Sequence, residues 1–108
     1  MAYDEGTAAL LRDELAEYVL GERKMFGALC FMLRGHMLCC AQASGALFRV
    51  GAANLDAACA LPGVAQMQMK ARRMAGFVTA SDAAFADDDI RGHLLELALA
   101  FNATLEPK

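Results

Sequence analysis

Residues 4–19, DEGTAALLRDELAEYV, set Leu11, Leu15, Tyr18 and Val19 on one side, with Ala8 above them, and Asp13, Glu14 and Glu17 on the other. That spacing predicts an amphipathic helix, opened by Asp4 and Glu5, whose negative charge suits a helix start, and ended by Gly21. From Lys24 the period changes. Residues 24–33 and 37–42 are short apolar runs flanking Arg34-Gly35, a pair suited to a tight hairpin turn. Ser44-Gly45 marks a second turn before a strand over 46–50, which Gly51 closes. Asn54 is placed to cap a short helix over 55–60, which Pro62-Gly63 stops. Residues 64–69 alternate with period two, 74–79 offer another strand, and a basic turn, Lys70-Ala71-Arg72-Arg73, lies between them. A last helix is expected from Asp87 to about Leu105, with Ile90, Leu94, Leu97, Leu99 and Phe101 apolar and Asp87-Asp88-Asp89 capping its start. The expected order is α-β-β-β-α-β-β-α in a single domain over 1–108, a two-layer α+β fold of helices on an antiparallel sheet.

A two-residue loop at Arg34-Gly35 sets the register by counting. Leu33 then faces His36, Met32 faces Met37, Phe31 faces Leu38 and Cys30 faces Cys39. One sheet face would show Cys30, Met32, Met37, Cys39, Phe48 and Val50. The other would show Leu29, Phe31, Leu33, Leu38, Cys40 and Leu47. Both faces are apolar, so a homodimer is expected, burying Leu29, Phe31, Leu33, Leu38 and Leu47. Arg49, on the face of Leu47, needs a carboxylate partner or that interface.

Composition narrows the function classes. The chain has 108 residues, 57% hydrophobic and 21% charged, with four Cys, seven Met and no Trp. A folded domain with a soft, sulfur-rich interior follows. A net charge of −3 argues against tight DNA binding by the domain itself. The acidic N-terminus is unlike a signal peptide and no apolar run is long enough to span a membrane, so a cytoplasmic chain with reduced thiols is expected.

The sulfur cluster of residues 25–40 invites a metal reading, but the paired spacings of a zinc site are missing, and adjacent Cys39 and Cys40 point to opposite faces. No metal, no cofactor and no catalytic residues are expected. The redox alternative uses Cys30 and Cys39, placed opposite each other with Cα atoms about 4.5 Å apart in that register.

An ordered set of segments resembles the TfoX/Sxy N-terminal domain family. These are Lys24-Met25-Phe26-Gly27, the hairpin at Gly35 followed by Met37, Leu47-Phe48-Arg49-Val50-Gly51, Pro62-Gly63, and Arg73-Met74-Ala75-Gly76-Phe77-Val78. The similarity runs over nearly the whole chain, to Leu105-Glu106-Pro107-Lys108. Ala28 replaces a second glycine of the first segment, Phe48 stands where valine is usual, and the stretch before Gly76 lacks a proline and a lysine. The resemblance implies a secretion-chaperone-like two-layer fold. It also implies kinship with bacterial regulators of natural competence, which act with the cyclic-AMP receptor protein at promoters. Full-length members carry a second domain of helix-hairpin-helix character; a stand-alone N-terminal-like domain is expected here. The expected function is a non-enzymatic regulatory or protein-interaction domain with a protein partner, for which the resemblance points to the transcription machinery. The alternative is a small thiol redox sensor or enzyme.

Overall fold

The computed structural model describes residues 3–25, 27–69 and 72–107, giving backbone only for Gln68, Met69 and 72–74. Family-motif residue Phe26, Lys70 of the basic turn and the terminal Lys108 lie outside the described residues, as do the side chains of Arg73 and Met74. Helix α1 spans Glu5–Glu14, capped by the Asp4 carboxylate, which accepts from the Thr7 N–H at 3.0 Å. Strands follow at β1 (Leu20–Met25), β2 (Ala28–Leu33), β3 (His36–Ala41) and β4 (Ala46–Arg49). A 3₁₀ turn at Ala52–Asn54 leads into α2 (Leu55–Cys59), then β5 (Val64–Met69), β6 (Arg72–Ala80), α3 (Asp82–Ala86) and α4 (Asp88–Thr104). All strands join one antiparallel sheet in the order β1-β2-β3-β4-β6-β5. The α+β architecture expected from the pattern is present, with a sixth strand and the short helix α3 added.

That strand is β1. The helix expected to reach Val19 ends at Glu14, and Gly21, expected to terminate it, lies inside β1. Leu15, 1% exposed, is the last position buried by the helix. Beyond it the backbone reaches the free edge of β2, whose N–H and C=O groups it pairs from Leu20↔Leu33 to Met25↔Ala28. An edge strand exposed along Gly21–Lys24 leaves no hydrophobic trace in the sequence. Asn54 also departs from expectation. It makes no side-chain cap, and its amide donates back to the Val50 carbonyl at 3.0 Å. Asp87 caps the last helix as expected, accepting from Asp89 and Ile90 N–H groups.

The Arg34-Gly35 turn is as read: φ is 55° at Arg34 and 85° at Gly35, the two positive values of a type I′ hairpin. Leu33↔His36 and Met32↔Met37 pair as counted. Then a β-bulge at Leu38 adds one residue to β3, so Phe31 faces Cys39 and Cys30 faces Cys40. The expected Cys30–Cys39 pairing is therefore wrong by one residue. Cys39 turns to the face of Phe31 and Cys40 takes the place beside Cys30.

The helices all lie on one face. The main core joins Leu11 of α1, Ala58 of α2, Phe85 of α3 and Leu94 and Ala98 of α4 to Phe31, Leu38, Phe48 and Val78 of the sheet. Residues expected to form a dimer interface are thus spent inside the domain. Leu29, Phe31 and Leu38 are buried under helices, and Leu33 packs against the same core. Leu47 remains on the other face, with Arg49 at its rim. Arg91 of α4, only 5% exposed, ties this layer together. Its guanidinium donates to Glu14 at 2.8 Å, to Asp88 at 2.6 Å and to the Phe85 carbonyl at 2.8 Å, joining α1, α3 and α4.

Candidate functional site

The opposite face of the sheet carries a second, separate apolar cluster. Its centre is Ala28, Cys30, Cys40 and Leu47, all buried, and half-buried Met25, Met32, Met37, Met67 and Phe77 surround them. Among the described residues no helical side chain belongs to it. The four core side chains are sheltered by methionines and a phenylalanine of neighbouring strands, not by a second layer. Thioether chains are unbranched and polarizable, so they cover this face and can still rearrange on it.

Charge divides the same way. Glu22 is the one carboxylate on any strand, and it turns toward the helices, where it pairs with Arg12 of α1 at 2.7 Å. Arg23 alternates with it and shares the face of Met25; Arg49 shares that of Leu47. The helix-free face is therefore apolar with cationic groups, on a chain whose net charge is −3.

Among the described residues no carboxylate forms a salt bridge with Arg49. Its guanidinium lies 5.4 Å from the ring centroid of Phe77 and 5.4 Å from that of Phe101 on α4. Two aromatic faces replace the expected salt bridge. Several motif residues converge here. Gly51, at φ 88°, passes directly beneath Phe101, where any Cβ would collide with the ring. The Gly76 carbonyl accepts from the N–H groups of Val50 and Gly51 at 2.9 and 3.1 Å. Arg49, Gly51 and Gly76 thus act together to dock β6 and α4 onto the end of β4. The other described motif residues occupy turns and edges: Lys24, Met25 and Gly27 at the first hairpin, Gly35 and Met37 at the second, and Pro62 ahead of β5.

Within the cluster, Cys40 Sγ donates to Cys30 Sγ at 2.6 Å and approaches Met37 Sδ at 3.4 Å. That donated bond favours the Cys30 thiolate and holds its pKa below the ordinary thiol value, while Cys40, the donor and itself buried, is pushed far up. Cys39, fully enclosed under the helices, is raised by burial. Cys59 lies in α2 beside the main core. Among the described residues no group of three His, Cys, Asp or Glu side chains is placed to hold a metal ion.

A cleft of about 280 Å³ lies elsewhere, lined by Tyr18, Leu33, Arg34, Leu99, Asn102 and Ala103. Arg34 and the Asn102 amide nitrogen hold the end of α4, while Asn102 Oδ1 is buried with no hydrogen-bond partner among the described residues. Arg34 donates to the Asn102 carbonyl at 2.7 Å, and the Asn102 amide donates to the Leu33 carbonyl at 3.1 Å. Sequence reading missed Arg91 and Asn102, which are polar residues inside apolar helical pattern. The Asp88–Arg91 spacing of three was the one available signal.

A family model described as the TfoX N-terminal domain matches residues 16–102. No curated protein and no solved structure matches the chain.

Proposed function

This chain belongs to the TfoX N-terminal domain family, and on that premise we propose that it is a non-enzymatic regulatory or protein-interaction domain acting in the cytoplasm. No described helix is long and apolar enough to cross a membrane. The observation that supports an interaction role is the helix-free face, where half-buried Met32, Met37, Met67 and Phe77 are accompanied by Arg23, with Arg49 at the rim between Phe77 and Phe101, and by no carboxylate of the strands. The partner that fits is a protein segment with an apolar side flanked by Asp or Glu. Within the family's range the finer role proposed is regulation of transcription in natural competence, through such a protein contact and not through tight DNA binding.

The test uses tagged full-length chain, Arg23→Glu and Met67→Glu, each offered native lysate at low and high salt with quantitative mass spectrometry. The reading requires a partner bearing an acidic, apolar segment, bound at least about tenfold less by Arg23→Glu and weakened by salt. Equal capture by all three chains overturns it. Sedimentation equilibrium decides the expected homodimer. A species of twice 11.5 kDa that Met67→Glu dissociates would make a second copy the occupant of this face. Phe31→Glu would not serve that purpose, because Phe31, expected at the dimer interface, is fully buried in the main core.

A further inference from the structure

We propose that Cys30 and Cys40 are a dithiol modification site, closed to an intramolecular disulfide across β2 and β3 by exchange with a low-molecular-weight disulfide of the glutathione class. The two residues are direct partners in the register. Counting outward from the turn, with the bulge absorbed at Leu38, they occupy a non-hydrogen-bonded position, where opposed Cα atoms lie about 4.5 Å apart, inside the range a disulfide spans. Their sulfurs already stand 2.6 Å apart, and a bond needs about 2.05 Å. A metal held between two thiolates would need the sulfurs to separate instead. The bulge is what creates the pair. Without it Cys40 would face away and the partner of Cys30 would be Cys39.

Access is the second requirement. Cys30 and Cys40 are 3% and 1% exposed, but among the described residues no helix covers them. Rotation of methionine side chains opens a path that under the main core would require unfolding.

The exchange balances in two displacements. The Cys30 thiolate attacks one sulfur of the small disulfide, whose S–S bond breaks, and one small thiolate leaves and takes up a proton from solvent. Cys40, losing its proton to solvent, then attacks Cys30 Sγ and expels the second small thiolate, which is protonated in turn. Two protein thiols are oxidised and one small disulfide is reduced to two thiols. Cys30 is the residue suited to attack first, since Cys40 donates its proton toward it.

The experiment equilibrates the full native chain in glutathione buffers from fully reduced to fully oxidised, quenches with acid, alkylates, and reads intact mass and peptide maps. The expected result is loss of two of the four alkylatable thiols, with a mass lower by about 2 Da before alkylation and a cross-linked Cys30–Cys40 peptide. Dithiothreitol should restore four. Cys39→Ser and Cys59→Ser should retain the bridge, and Cys30→Ser or Cys40→Ser should abolish it. Four alkylatable thiols at every buffer ratio would overturn the proposal. So would a mixed disulfide at Cys30 that Cys40 never resolves, or a bridge that maps to Cys39. The native chain alone gives each of these readings, so poor folding of a serine variant leaves the test intact.

Discussion

One sheet is finished in two different materials. On the helix side, Phe31, Phe48, Leu38 and Val78 have no exposed surface and meet Leu11 and Leu94 from the helices. On the other side the covering residues are Met25, Met32, Met37, Met67 and Phe77, each half-buried, over two cysteines and Leu47. Branched and aromatic side chains with few rotamers specify one packing; thioethers fill a surface without specifying it. The first face makes the fold unique, and the second leaves it a surface that can adapt.

The sharpest way to break this contrast is to cut one large side chain from each face. Phe31→Ala is expected to cost about 3–5 kcal/mol, whereas Met67→Ala, already partly solvated, should cost less than about 2 kcal/mol. Urea denaturation of both variants, at unchanged m-value, measures the difference. Equal losses would mean that both faces are structural core.

Arg91→Ala comes next, at about 3 kcal/mol, because Glu14 and the Phe85 carbonyl lose a buried cationic partner on the helix side. No charge on the Met-rich face should match it. Arg49→Ala provides that comparison: losing two ring contacts of 5.4 Å should cost about 1–2 kcal/mol, read by thermal unfolding.

The smallest effect belongs to the exposed pair on the helix side. The Arg12 guanidinium, hydrogen-bonded to Glu22, holds that carboxyl below the usual glutamate range. A folded-state pKa that is depressed adds stability above the unfolded value of about 4.3 and loses it as pH falls through the folded value. Both side chains are around two-fifths exposed, 43% and 39%, so the contribution is under about 1 kcal/mol. Glu22→Gln should accordingly lower stability slightly at pH 7 and make no difference at about pH 2.5.

The turn at Arg34-Gly35 was legible because only residues tolerant of positive φ suit it, and the capping triplet at Asp87 because an N-terminal helix end selects acids. The bulge at Leu38 was not. In MLCCA every residue is apolar, so no alternation marks where one residue is extra, and the register beyond Met37 is undetermined by pattern. The same uniformity hid which face the helices would cover, and with it the fate of Leu29, Phe31 and Leu38. Strand β1 was hidden for the opposite reason. Glu22, Arg23 and Lys24 read as a solvated connection, and only pairing with β2 makes them a strand. Of the candidate site, the sulfur cluster and Arg49 were visible as residues, but their partners, Cys40 in place of Cys39 and aromatic rings in place of a carboxylate, depend on contacts distant in sequence.

The end of α4 is fastened to the β2–β3 turn by three hydrogen bonds: Arg34 to Asn102, Asn102 to Leu33, and His36 to Glu106. They bridge 68, 69 and 70 residues of chain. A hairpin that can close in about 1–10 μs must therefore wait for a partner whose arrival carries a large loop-closure entropy. During synthesis that partner emerges well after the hairpin, so the nascent hairpin spends that interval without its anchor. Native-state hydrogen exchange should show the Asn102 region opening together with the hairpin tip, as one cooperative unit drawn from segments distant in sequence.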